Sequence, residues 1–112
     1  MASYRAVHRF ARISARKVRP LADIIRGKFA DEALDLLRYQ PERGARMLEK
    51  VLHSAMANAE DRRAAHPDRL YVKEVCIDGG PMFKRMMPRS RGMSMLILKR
   101  FSHIRVVLEE LA

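Results

Sequence analysis

Alternation of apolar and polar residues marks the start of the chain. In residues 3–12 (SYRAVHRFAR), Tyr4, Ala6, His8 and Phe10 alternate with Arg5, Val7, Arg9 and Ala11, which predicts a strand. The period then changes. Val18, Leu21 and Ile25 fall at i, i+3 and i+7, one face of a helix with Ser14 as N-cap and Gly27 just beyond its end. Pro20 removes one backbone donor and is expected to tighten or bend the second turn. A short helix follows from Asp31 to Tyr39, with Ala33, Leu34 and Leu37 inward and two acids at its positive end. Pro41 suits the first position of a third, longer helix (PERGARMLEKVLHSAMANAEDRRA). Ala45, Leu48, Leu52, Ala55 and Ala59 line one side of that helix, with Val51 beside them, and its alanines permit close helix approach. Pro67 ends it.

Two strong strand signals complete the pattern. Residues 69–78 (RLYVKEVCID) are rich in β-branched and aromatic residues, and residues 103–110 place Ile104, Val106 and Leu108 on one face. If these strands pair as a hairpin, its tip falls near residues 86–91 and each arm runs roughly 18–20 residues, or ~60 Å at ~3.3 Å per residue. A domain of about 100 residues has a radius of gyration near ~13 Å. Such arms must project. The expected fold is therefore α+β: a small body of three helices packed on a short antiparallel sheet, with a long projecting β-hairpin. It forms one domain, with the body at 1–78 and 103–112 and the arm at 79–102. Gly79, Gly80, Pro81, Pro88 and Gly92 punctuate the arm and should bend it or shape its tip.

Charge changes this picture from a shape into a function. The 112 residues carry a formal charge of +10, with 23 Lys and Arg against 13 Asp and Glu. Such an excess repels itself and makes sense against a polyanion. Residues 1–28 hold eight Lys/Arg and one acid, and residues 79–108 hold seven and none, whereas residues 29–78 hold eight and ten acids. The middle is an ordinary solvated surface, flanked by two basic segments. The second also carries Met82, Phe83, Met86, Met87, Met93, Met95, Leu96 and Ile97, with no core of their own. An isolated two-stranded ribbon is marginal in water. A basic, apolar-decorated finger needs an anionic, crevice-like host, and folded RNA fits that description.

Other chemistry finds little support. Cys76 has no thiol partner and reads as a small packed hydrophobe in a strand. The four histidines (His8, His53, His66 and His103) show no metal-ligand spacing. His8 and His103 read as phosphate or sugar partners or strand-surface residues. No catalytic residue, metal or cofactor is expected. No apolar run is long enough to span a membrane and no signal peptide is evident, so a cytoplasmic setting is expected. Two rival classes are a basic DNA-binding regulator with a hairpin wing and a small nuclease or toxin using His8 or His103. The first is weakened by Glu42, Glu49, Glu60 and Asp61 on the long helix.

Several runs are familiar together. ISARKVRPLADIIRGK (13–28), ADEALDLLRYQP (30–41), KVLHSAMANAE (50–60), LYVKEVCIDGGP (70–81), FKRMMPRSRG (83–92) and LKRFSHIRVVLEE (98–110) occur in order. The set resembles the bacterial large-subunit ribosomal protein L-twenty-two family. The resemblance implies a body on the subunit surface near the exit of the nascent-peptide tunnel. It also implies a hairpin that threads 23S ribosomal RNA, clamps several RNA domains during assembly, and ends in the tunnel wall. The implied partners are that RNA, neighbouring large-subunit proteins and the nascent peptide, with no membrane and no small-molecule substrate. Carried over residue by residue, the tip is Phe83, Lys84, Arg85, Met86, Met87, Pro88, Arg89, Ser90 and Arg91. The RNA contacts on the body are Arg12, Ser14, Arg16, Lys17, Arg19, Arg26, Gly27 and Lys28. Lys84, Arg85, Arg89 and Arg91 contact RNA on the arm, and Lys99, Arg100, Ser102 and His103 on the return strand. The chain departs from the family at Met93–Leu98, where further arginines are usual, and at Phe101, where Thr is common.

Overall fold

The computed structural model describes residues 3–64, 67–88, 90–92 and 94–110. Among them the order is β1 (Ser3–Ala11), α1 (Ala15–Ile25), α2 (Ala30–Tyr39), α3 (Arg43–Asp61), β2 (Leu70–Pro88) and β3 (Ser94–Glu110). The strands form one antiparallel sheet in the order β1-β3-β2. The helices cover one face of it, giving the α+β architecture that the pattern predicts.

The helical faces follow the apolar spacing. Val18, Leu21, Ala22 and Ile25 of α1 are buried, as are Ala33, Leu34 and Leu37 of α2. On α3, Ala45, Leu48, Val51, Leu52, Ala55 and Ala59 turn inward. Ser14 is the N-cap of α1, but its side chain makes no capping bond. Gly27 has φ +82°, the left-handed conformation expected just past a helix end. The helix runs unbroken through the exposed Pro20. Pro41 is not the first residue of α3. Glu42 is still extended (φ −68°, ψ 147°), so the helix begins at Arg43. The clamp across this junction is Arg46, which donates to the carbonyls of Leu37, Arg38 and Gln40 at the end of α2.

Three irregularities shape the sheet, and two of them keep its inner face largely apolar. On β3, Ser102, Ile104, Val106 and Leu108 all point into the core. On β1 the expected alternation fails at Phe10, which is 59% exposed. The register shifts between His8 and Ala11, Phe10 takes a positive φ of 58°, and Ala11 enters the core instead. On β2 a shift between Val72 and Glu74 sends Lys73 and Glu74 outward together, so Val75 and Ile77 remain inside. A third shift, between Gly79 and Met82, marks the root of the arm. A Cβ on Gly80 would lie 3.1 Å from the backbone of Phe101, so the bulge needs glycine there.

Beyond these points the ribbon leaves the helices behind. Pairing continues to Pro88↔Ser94, and the chain reverses at Ser90–Gly92, where Arg91 and Gly92 have positive φ. Met86 and Met87 therefore belong to the paired strand, because the turn sits slightly later than the pattern predicts. Arg89 and Met93 lie outside the described residues. The molecule measures 64 × 24 × 17 Å with a radius of gyration of 17.1 Å, against ~13 Å for a compact domain of this size. Met82 and Phe83 are half exposed and Met86 is 71% exposed.

This division predicts opposite responses to truncation. Leu52→Ala, in the fully buried layer, should lower stability to urea by about 2–5 kcal/mol. Met86→Ala should stay within about 0.5 kcal/mol. Comparable losses would mean that the arm has packing of its own.

Candidate nucleic-acid interface

The amphipathic design of α1 puts its apolar stripe on the core and its cations on the outside. Two of those cations are held by the sheet. Arg26 donates to the carbonyl of Val75 at 2.8 Å and pairs with Asp23 at 2.6 Å, and Arg19 reaches the carbonyl of Ile77 at 3.3 Å. The loop after α1 continues the seal: Gly27 N–H donates to Val72 (2.9 Å), and Val72 N–H donates to Lys28 (2.8 Å). β2 is an edge strand, and these groups satisfy its outer backbone. Arg26, Gly27 and Lys28 thus stand apart from the arm root. Their main visible task is to close the sheet edge, although the Lys28 side chain remains exposed.

Most of the other expected cations converge. Where the body meets the arm, a cleft of about 820 Å³ is lined from three directions. Arg12, Ser14 and Lys17 come from the β1–α1 junction. Arg85 comes from β2, and Lys99 and Arg100 from β3. Arg43, the first residue of α3, completes the wall. Sequence spacing gave no reason to single out Arg43, because only the packing of α3 against α1 brings it here. A neighbouring hollow of about 490 Å³ joins Arg16 and Arg19 to Arg100. Lys84 and Arg91 are exposed farther along the arm.

The electrostatics distinguish this cleft from the rest of the surface. Six cations line it with no acidic residue among them, and among the described residues none of the six forms an ion pair. Several cations elsewhere are paired: Arg38 and Arg46 with Glu49, Lys73 with Glu109, and Arg105 with Glu74. Pairs of that kind, each with a partly exposed cation, cancel local field. The cleft keeps its field, which draws an anionic partner. Guanidinium groups there can take phosphate oxygens bidentately.

Three expected residues fall elsewhere. Ser102 is fully buried at the arm root, opposite Gly79 and Ala11, and its hydroxyl has no partner. Its side chain belongs to the core, so the surface contact implied for it is corrected. His103 accepts the Phe10 amide on Nδ1 (3.1 Å) and meets the Phe10 ring edge-on at 5.0 Å. It holds the β1 bulge in place. Cys76 is half-buried on the outer face, where its thiol donates to Glu74 (3.1 Å) and its sulfur accepts from Arg105 (3.1 Å). The bulge at Lys73 and Glu74 builds this cluster, so Cys76 is not a core hydrophobe. The Cys76 thiol and then the Arg105 charge hold the Glu74 carboxyl below its ordinary value. His8 is half-buried and His53 exposed, and His66 lies outside the described residues. Among the described residues no group of three or more His, Cys, Asp or Glu converges as a metal site. No helix of the described residues is long and apolar enough to cross a membrane.

Comparison with known proteins agrees with this geometry. The family described as Ribosomal protein L22p/L17e matches residues 6–109. The large ribosomal subunit protein uL22 of Rhodopirellula baltica is 58% identical over 111 residues, covering 95% of this chain and 93% of its own length. The protein of the same description from Caldicellulosiruptor saccharolyticus is 52% identical (94% and 86% covered), and that from Thermus thermophilus 51% (95% and 94%).

Two substitutions test the site. Ser102→Ala removes a buried hydroxyl without a partner and should raise stability by about 1 kcal/mol. RNA affinity should not change, and a loss of affinity would restore Ser102 to the interface. Because the Glu74 carboxyl is depressed in the folded state, its contribution is present above the ordinary value of 4.5 and is lost as pH falls through the lower folded value. Glu74→Gln should therefore flatten the acid limb of a stability–pH curve below about 4.5, read by urea melts, and leave the neutral region nearly level.

Proposed function

The chain belongs to the ribosomal protein L22p/L17e family, and on that footing we propose that it is a structural constituent of the large subunit that binds 23S ribosomal RNA. Its work is binding, and no step of it calls for catalysis. The body, residues 1–78 and 103–112, rests on the RNA surface in the cytoplasmic ribosome, and the arm, residues 79–102, threads inward. The tip, centred on the turn at Ser90–Gly92, forms part of the wall of the nascent-peptide exit tunnel. The observation that carries this reading is the cleft of six unpaired cations at the root of an arm that stretches the molecule to 64 Å.

The mechanism follows from polyelectrolyte physics. Each phosphate neutralised by Lys or Arg releases condensed counterions, and that entropy drives association. Cations at the cleft and cations near the turn, such as Arg91, are spread along a molecule 64 Å long, too far for one short RNA segment to meet them all. Engaging both draws separate segments together, which is the physical content of an assembly clamp. Ordering of the ribbon is coupled to this binding, since an isolated hairpin is marginal in water. The apolar departures after Gly92, with Leu98 partly exposed, rest on bases or on neighbouring subunit proteins.

Salt dependence provides the test. Replacing Lys84, Arg85, Arg89 and Arg91 by Gln should lower the log–log slope of RNA affinity against salt by about 0.7–0.9 per lost phosphate contact. The same variant should co-sediment poorly with large subunits in high-salt gradients. An unchanged slope with full incorporation, or a strong preference for a duplex DNA site, would count against the reading.

A further inference from the structure

Charge alone does not account for the cleft at the arm root, because two phenyl rings share its wall. Phe83 and Phe101 meet edge to face across the ribbon, with centroids 5.2 Å apart and planes at 85°. The Arg85 guanidinium stands 5.7 Å from the centre of the Phe83 ring. Half of the Phe83 surface nevertheless stays open, and Leu98 beside it is 37% exposed. Both rings line the cleft with the six cations. Phosphate recognition gains nothing from an exposed ring, whereas a nucleobase offers a flat apolar face to pack on it. At about 820 Å³ the cleft falls within the ~300–1,000 Å³ span of small-ligand pockets, so it has room for a base together with its sugar.

We propose that this cleft receives one unstacked nucleotide of a single-stranded RNA segment, its base against Phe83 and Phe101 and its phosphates on Arg12, Lys17 and Arg43. The site rests on the RNA-binding reading above and adds to it the kind of RNA taken. A-form duplex keeps its bases stacked inside and presents backbone, so it can use the cations but not the rings. Single strands use both. Recognition tolerates different bases, because every base has a π-face. Arg85 plays two parts here, as a counter-charge and as a planar group that holds the Phe83 ring in position.

The experiment uses the full chain with two probes, a uridine hexanucleotide and a short RNA duplex. Phe83→Leu combined with Phe101→Leu keeps apolar bulk and removes the flat faces. It should weaken hexanucleotide binding about tenfold and leave duplex binding and both salt slopes unchanged. The chain has no tryptophan, so Phe83→Trp supplies a single reporter on an exposed ring. Its fluorescence should be quenched by the hexanucleotide and not by inorganic polyphosphate. This second variant decides the matter if the double variant fails to fold. Equal affinities for the double variant and the native chain, with no quenching, overturn the stacking site and leave RNA binding standing. Failure of the native chain to bind either RNA overturns the RNA-binding reading itself. Stronger quenching by an acidic peptide such as polyglutamate assigns the cleft to a protein partner and overturns the nucleotide.

Discussion

Pairing of β2 with β3 that continues past the edge of the helical layer is the constraint on which the rest of the molecule depends. Within the body, that pair is the floor of the core. Val72, Val75, Ile77, Ile104, Val106 and Leu108 are packed beneath three helices. Beyond Ile77 and Ser102 no helix covers the same ribbon among the described residues, and Met82, Phe83 and Met86 are at least half exposed. One hydrogen-bonded ladder therefore serves as both scaffold and probe. The core fixes its root, whereas Met86 farther out is mostly exposed. On the proposed reading, free energy for ordering that end comes from a partner that is anionic and shaped to receive it.

The irregularities in the sheet follow from this double duty. A strand that crosses from body to arm must keep its apolar face inward as far as the root. The shift at Lys73 and Glu74 keeps the phase correct inside the body. The shift between Gly79 and Met82 falls where the body ends, with Gly80 close against the Phe101 backbone. The positive φ of Phe10, secured by His103, ends regular pairing of β1 and lets the chain turn toward α1. Each bulge also has a surface consequence. The first builds the Glu74–Cys76–Arg105 cluster, and the second opens the hollow between Arg16, Arg19 and Arg100.

Electrostatic organisation separates structural cations from available ones. Arg46 caps α2, Arg26 seals the edge of β2, and Arg105 answers Glu74, so these charges are used within the chain. Among the described residues the cleft cations form no ion pair, and Arg85 donates to the adjacent carbonyl of Lys84 and faces the Phe83 ring. Concentrating unpaired charge at the junction of body and arm destabilises the free protein slightly. It also aims the field at the place where a polyanion must enter to reach the arm.

Much of this was legible in the residues alone. Helical spacing in 14–62, β-branched runs at 69–78 and 103–110, and an acid-free stretch from 79 to 108 implied three helices, a sheet and a protruding basic hairpin. These are local or additive properties, governed by period, propensity and charge, and they survive without knowledge of neighbours. Packing decided what depends on distant pairs. It buried Ser102, exposed Phe10, moved Cys76 to the outer face and brought Arg43 beside Arg12 and Arg85. A register shift of one residue reverses the facing of a side chain, and helix orientation decides which far-apart cations share a cleft. Neither is written in a local pattern, because both arise only when separate segments compete for the same core.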